Sequence, residues 1–113
     1  MLAEPNRTLF IAREQSYHGN TLGALDVSGH EARKALYEKI LPRNMHTVPA
    51  CNEYRKQFPG QTTEQYVQWH REQLVNKIEE LESDKVAAFI MEPVVGAVRT
   101  LYFSPVAMQM PIC

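Results

Sequence analysis

Two groups of polar residues in this chain have side chains suited to chemistry, and each directly follows an apolar run typical of a strand. The first group is Ser16, Tyr17, His18 and Gly19, and the second is Glu92. An imidazole can act in proton transfer, a carboxylate can orient polar groups, and a phenol ring stacks on flat molecules. Ligands of open α/β sheets bind beyond the carboxyl ends of the strands, so parallel strands would bring both groups to one site.

Each of these residues also has an ordinary structural interpretation. Tyr17 would pack as a loop aromatic, and His18 would hydrogen-bond within its loop. Glu92 followed by Pro93 would simply end a strand, since the proline keeps the preceding residue extended. Spacing alone leaves both interpretations open.

The rest of the composition argues against several other functions. Twelve basic and thirteen acidic residues nearly cancel and are scattered, which gives no field to attract nucleic acid or an anionic membrane. Gly19 and Gly23 do not fit a nucleotide-binding fingerprint, and Cys51 and Cys113 fit neither a zinc spacing nor a disulfide framework, so no metal site is predicted. There is no secretory signal and no apolar run of ~20 residues. We therefore expect a cytoplasmic or mitochondrial-matrix protein.

The elements that must position the two groups follow from apolar spacing and capping residues. We predict strands over 8–12 and 86–91. A short helix over 19–27, capped by Asn20 or Thr21, follows the first strand, and 31–40 forms another short helical segment.

The best-defined helix is predicted over 62–82. Thr62 and Gln65 form a capping box at its start, and an apolar stripe follows at helical spacing. The stripe consists of Val67, Leu74, Ile78 and Leu81. Residues 42–61 are irregular, with Thr47–Val48 as a very short strand inside them.

A strand, helices and a second strand are typical of an α/β domain with parallel pairing. Two parallel strands alone leave their edges and faces uncovered and do not make a stable sheet. The pattern therefore predicts part of a larger sheet.

Two motifs resemble hallmarks of the class-III aminotransferases, which are dimeric, fold-type-I enzymes dependent on pyridoxal phosphate (PLP). The first runs from Tyr17 to Leu25, with Ser28 and Gly29 after it. The second runs from Val86 to Ala97 and contains Glu-Pro-Val-x-Gly. The segment from Val48 to Arg55 is similar to one subgroup. The resemblance covers roughly residues 6 to 97 and implies a mainly parallel sheet flanked by helices, as part of the large, cofactor-binding domain.

The resemblance also implies roles for single residues. Tyr17 matches the aromatic that lies against the pyridine ring of the cofactor, and His18 and Gly19 complete that loop. Glu92 matches the carboxylate beside the cofactor and the substrate amine. The family moves amino groups from an amine or ω-amino acid to an oxo acid, so an amino donor, an oxo-acid acceptor and a second subunit are the implied partners.

The Schiff-base lysine of the family lies after the Glu-Pro motif, and none of the five lysines here stands in that context. Residues 98–113 also depart from the family pattern, so we predict a domain segment over 1–97 and a divergent tail over 98–113. We expect the chain to be inactive alone and to act within a full-length transaminase. The alternative is a non-catalytic remnant or an interaction module that pairs with an intact subunit.

Overall fold

The structure is a computed structural model that describes residues 4–52, 57–95 and 102–103. In chain order the elements are β1 (Leu9–Arg13), α1 (Leu22–Asp26), α2 (Glu31–Lys34), β2 (Met45–Val48), α3 (Thr63–Glu80), β3 (Val86–Ile90), β4 (Val94–Val95) and β5 (Tyr102–Phe103). Strands β2, β1 and β3 lie side by side in that order and are all parallel, whereas β4 and β5 form a separate antiparallel pair. The predicted parallel pairing of the first and last long strands is confirmed, and β2, indicated in the sequence only as Thr47–Val48, adds a third strand.

Strand β1 is the buried centre of the sheet. Its neighbouring residues Ile11 and Ala12 are both fully buried, and side chains adjacent along a strand point to opposite faces. The apolar run of strand β3 predicts a strand buried on both faces, but in the structure β3 is half-buried, with Ala87 exposed. The difference arises because β3 is an edge strand, and no described strand pairs with its outer side.

The two short helices after β1 are shorter than predicted. Helix α1 begins at Leu22, because the residues before it form the loop at the strand end, and Thr21 caps it by accepting the N–H of Ala24 at 3.3 Å. Helix α2 ends at Lys34 rather than at residue 40. Residues 35–40 form turns instead, with i→i+3 bonds such as that from the Tyr37 N–H to the Lys34 carbonyl.

Helix α3 begins where its capping residues predict. The Gln65 N–H donates to Thr62 Oγ1 at 3.3 Å, and the Thr62 N–H donates back to Gln65 Oε1 at 2.9 Å. Its buried residues are Tyr66, Val67 and His70, all in its first half. The rest of the predicted stripe, Leu74, Ile78 and Leu81, is only half-buried. Tyr66 and Val67 pack with Cys51 as a small core.

Some predictions fall outside the described residues. These include Tyr54 and Arg55 of the subgroup pattern, Cys113, the boundary at residue 97, and the tail apart from residues 102–103. Among the described residues, no helix combines the length and apolar character needed to cross a membrane.

Candidate functional site

The two predicted groups meet at the carboxyl edge of the sheet. Strands β1 and β3 are parallel, so the loop after β1 and the residues after β3 leave the sheet on the same side. The Tyr17 N–H donates to Glu92 Oε1 at 2.7 Å, although 75 positions separate the two residues. Both residues are half-buried. The sequence prediction that Tyr17 and Glu92 belong to one site is thus consistent with a direct contact between them.

Arg13, the last residue of β1, also contacts Glu92. Its guanidinium Nη2 donates to the Glu92 backbone carbonyl, and Arg13 is only 4% exposed. Burial of a charged group costs free energy unless hydrogen bonds offset it. Glu92 is therefore bound twice, through its carbonyl by Arg13 and through its carboxylate by Tyr17.

Two buried serines hold the loop between β1 and α1. Ser16 Oγ donates to the Arg13 carbonyl at 2.6 Å and accepts the Gly29 N–H at 3.0 Å. Ser28 Oγ donates to the Ala24 carbonyl at 2.7 Å and accepts the His18 N–H at 2.8 Å. The hydroxyls serve as donor and acceptor at once, which joins the site loop to the end of α1.

Two glycines permit the close packing of this loop. Gly19 has φ +132°, a conformation that side chains rarely adopt, and a Cβ there would lie 3.0 Å from the Ala24 Cβ. At Gly29 a Cβ would lie 2.5 Å from the Arg13 carbonyl oxygen. A side chain at Gly29 would thus displace the loop from the end of β1.

His18 presents a polar atom without a partner. Its Nε2 is buried and has no hydrogen-bond partner among the described residues. Burial lowers the pKa of His18 below its ordinary value, the Glu92 carboxylate opposes that shift, and the Arg13 guanidinium reinforces it. The imidazole is therefore neutral at neutral pH, and each ring nitrogen can take one hydrogen bond.

The ring of Tyr17 is flanked by two side chains from the next loop and helix. The Arg33 guanidinium carbon lies 4.5 Å from the ring centroid, in a cation–π arrangement. The ring of His30 meets Tyr17 edge-on, with centroids 6.4 Å apart. Arg33 thus covers one face of the Tyr17 ring, and His30 lies at its edge.

The sequence predicts Tyr17, His18, Gly19 and Glu92 at the site, and it names Ser16 and Ser28 beside them without indicating that their hydroxyls hold the loop. The sequence does not predict Arg13 or Arg33 at the site. A charged residue that ends an apolar strand is a weak signal for Arg13, and spacing gives no signal for Arg33. Among the described residues, no group of three or more His, Cys, Asp or Glu is arranged to hold a metal ion.

An α/β sheet with polar loop residues gathered at its carboxyl edge is the arrangement at which open α/β folds bind ligands. Comparison with known proteins then gives its family. The family described as class-III aminotransferase matches residues 1–109, and the chain belongs to this family. The predicted resemblance is confirmed.

Relatives support the same assignment. An aminotransferase of Gibberella zeae is 53% identical over 95 residues, which are 83% of this chain and 19% of that protein. The mitochondrial gamma-aminobutyrate transaminase 1 of Oryza sativa subsp. japonica is 39% identical over 101 residues, 85% of this chain and 18% of that protein. The chain thus spans about a fifth of the length of these curated relatives.

Solved structures confirm the predicted fold. The omega transaminase from Pseudomonas jessenii, in complex with PMP, matches with a TM-score of 0.80 and 27% identity, over 92% of this chain and 23% of that one. A transaminase with L-ala matches with the same TM-score and 26% identity, over 92% of this chain and 24% of that one. The three-stranded sheet is therefore a segment of the fold-type-I transaminase architecture.

Proposed function

We propose that this chain supplies the PLP-facing edge of the large domain in a full-length transaminase. That enzyme transfers an amino group from an amine or ω-amino acid to an oxo acid. The single observation that carries the proposal is the 2.7 Å hydrogen bond between the Tyr17 N–H and Glu92 Oε1. It joins the two family motifs at the edge where α/β folds bind ligands.

The described residues fit a flat, polar cofactor. Arg33 covers one face of the Tyr17 ring, so the ring can stack on the cofactor through its other face. The unpartnered His18 Nε2 can take a hydrogen bond from a polar group, and Gly19 allows the backbone to approach closely. When bound, PLP supplies the electron sink that amino-group transfer requires.

Each residue then has a limited, physical task. Tyr17 holds the cofactor ring and keeps water from its face, and His18 stays neutral and offers Nε2. Glu92 orients the loop through the Tyr17 N–H and places a negative charge beside the site. The family's cofactor-bonding lysine would come from another part of the full-length protein, and we propose a homodimer in the cytoplasm or the mitochondrial matrix.

The test is Glu92→Gln in a full-length protein that carries this segment. A neutral amide removes the charge while keeping the acceptor, so we expect weaker PLP binding or slower turnover, by about tenfold for the loss of a charge-assisted bond. Glu79→Gln, at an exposed position on α3, is the matched control. Unchanged kinetics and unchanged PLP affinity in Glu92→Gln would remove Glu92 from the site.

A second candidate, a non-catalytic module that pairs with an intact subunit, is favoured by an exposed apolar patch after α2. Leu36 is 83% exposed and Ile40 is 62% exposed, with Tyr37 between them. Such side chains are expected to be covered by another surface. The intact mass of the endogenous protein separates the two candidates, since a product of 13.0 kDa would favour the module and a much heavier one the transaminase.

A further inference from the structure

Arg13 connects all three strands of the parallel sheet at its carboxyl edge. It ends β1, where its Cα pairs with that of Val48 on β2, and its guanidinium donates to the Glu92 carbonyl beyond β3. It is 4% exposed, so solvent screens its charge far less than that of a surface arginine.

The backbone of Arg13 is itself held firmly. Ser16 Oγ donates to its carbonyl at 2.6 Å, and the same hydroxyl accepts the Gly29 N–H at 3.0 Å. The close approach of Gly29 to that carbonyl leaves no room for a Cβ. The guanidinium therefore extends from a fixed base.

Glu92 is the residue that the Arg13 guanidinium contacts. Only two residues follow β3 before Pro93, so the backbone of Glu92 is set by the strand, by the proline and by Arg13. The Glu92 carboxylate accepts the Tyr17 N–H at 2.7 Å. It can do so only if the Glu92 backbone holds the side chain within reach of that amide.

We propose that Arg13 is a positioning residue of the site: by binding the Glu92 carbonyl it sets the location from which the Glu92 carboxylate accepts the Tyr17 N–H. Only the link between Arg13 and PLP binding rests on the proposed function. The positioning of Glu92 and Tyr17 by Arg13 does not depend on that function.

Two neighbouring amides make the proposal testable. The Tyr17 N–H depends on Glu92, whereas the His18 N–H is held by Ser28 Oγ at 2.8 Å. Loss of the Arg13 contact should therefore release the first amide and leave the second protected. A general loosening of the fold would release both.

The experiment is residue-resolved hydrogen exchange on the cofactor-free, full-length protein carrying Arg13→Ala. We expect exchange at Tyr17 to accelerate by about tenfold or more, as when a hydrogen bond from a charged group is lost, with little change at His18 and in β1. Equal acceleration at both amides and along β1, or no acceleration at Tyr17, would overturn the proposal. Arg7→Ala, which removes a similar arginine from the other end of the same strands, is the matched control and should leave Tyr17 unchanged.

Chemical rescue separates positioning from packing. Ethylguanidinium added to Arg13→Ala should restore slow exchange at Tyr17, whereas ethylammonium should not, because only the planar guanidinium reproduces the donor geometry. Equal rescue by both cations, or by neither, would count against Arg13. If Arg13→Ala does not fold, Arg13→Lys takes its place. We expect the same acceleration of exchange at Tyr17 and not at His18. Exchange at the wild-type rate at Tyr17 would contradict the proposal.

PLP titration of the same proteins connects the inference to function. We expect Arg13→Ala to raise the Kd for PLP by about tenfold, and Arg7→Ala to leave it unchanged. A wild-type protein that binds no PLP would refute the proposed function while the exchange result still decides the role of Arg13. Wild-type PLP affinity in Arg13→Ala, beside normal wild-type binding, would refute the link of Arg13 to the cofactor.

Discussion

The two ends of the β1–β3 pair are joined by the same kind of contact, which differs in its burial. At the amino end, Arg7 Nη1 donates to the carbonyls of Ser83 and Val86, both at 2.9 Å. At the carboxyl end, the Arg13 guanidinium donates to the carbonyl of Glu92. Each arginine thus ties β1 to the chain segment around β3. The Arg7 side chain is 38% exposed, however, whereas Arg13 is 4% exposed.

The difference in burial predicts different roles for the two arginines. An exposed arginine is screened by water and keeps much of its side-chain freedom, so its contacts add little to stability or to geometry. A buried arginine is screened far less, so its hydrogen bonds hold the groups that they join more firmly. We infer that the amino end of the sheet serves the fold, while the carboxyl end fixes a site. The following predictions test that division.

The largest effect is expected from Asp26→Ala, near the amino end of β2. The buried Asp26 carboxylate accepts the Arg43 N–H at 3.0 Å and the Asn44 N–H at 3.2 Å. Its removal leaves two donors unpaired, at about 1–3 kcal/mol each, so the free energy of unfolding should fall by about 2–6 kcal/mol. Denaturant unfolding measures this loss, with the exposed Asp84→Ala as the control.

PLP affinity of the folded fraction should be nearly unchanged in Asp26→Ala. A large loss of affinity there would show that the amino end also shapes the site.

Gly29→Ala should come next, with effects on both stability and the site. The new Cβ would clash with the Arg13 carbonyl oxygen at 2.5 Å and the Gln15 nitrogen at 2.8 Å. We expect a loss of about 1–3 kcal/mol, typical of overpacking, together with weaker PLP binding. Gly23→Ala is the matched control, because a Cβ there meets nothing within 4 Å and alanine favours a helix. Thermal unfolding and PLP titration of both variants measure these effects. Equal stability and equal PLP affinity of Gly29→Ala and Gly23→Ala would contradict the prediction.

Arg7→Gln should cost about 1 kcal/mol or less, because its hydrogen bonds are exposed. The measurement is the free energy of unfolding, accompanied by PLP titration. If Arg7→Gln weakened PLP binding as much as a substitution of Arg13, the contrast between the two ends of the sheet would be wrong.

The smallest effect concerns pH. His18 has a pKa below its ordinary 6.5 in the folded protein, mainly through burial. Below about pH 6.5 the unfolded state therefore binds more protons, so the stability due to neutral His18 is present above that pH and is lost as the pH falls toward the folded pKa. The loss should be the smallest of the effects named here, because solvent screens a partly exposed ring.

His18→Asn should remove that part of the pH dependence. Unfolding midpoints at pH 7.5 and 5.5, chosen to bracket the ordinary histidine pKa of about 6.5, make the comparison. His46→Asn, on β2, serves as the control. Identical pH dependence in wild type and His18→Asn would show that His18 remains solvated.

Much of this architecture could be predicted from local sequence. The apolar run at 8–12 predicts β1, and Thr62 with Gln65 predicts the start of α3 because a capping box needs only residues three apart. The helix predicted over 31–40 stops at Lys34, since Leu36 and Ile40 face no described core and residues 35–40 make turns. Periodicity describes which side chains share a face, but not whether another element covers that face.

The sequence by itself predicted which residues form the candidate site and that parallel strands would gather them at one edge. Tyr17, His18 and Glu92 stand directly after apolar runs, and that placement is readable without a structure. Only the tertiary structure decided how they are held: by Arg13 through the Glu92 carbonyl and by Ser28 through the His18 N–H. The physical reason is that every residue has a backbone carbonyl, and every residue except proline has a backbone N–H. The residue types therefore do not indicate which of these groups is contacted, and such contacts are seen only once the strands are paired.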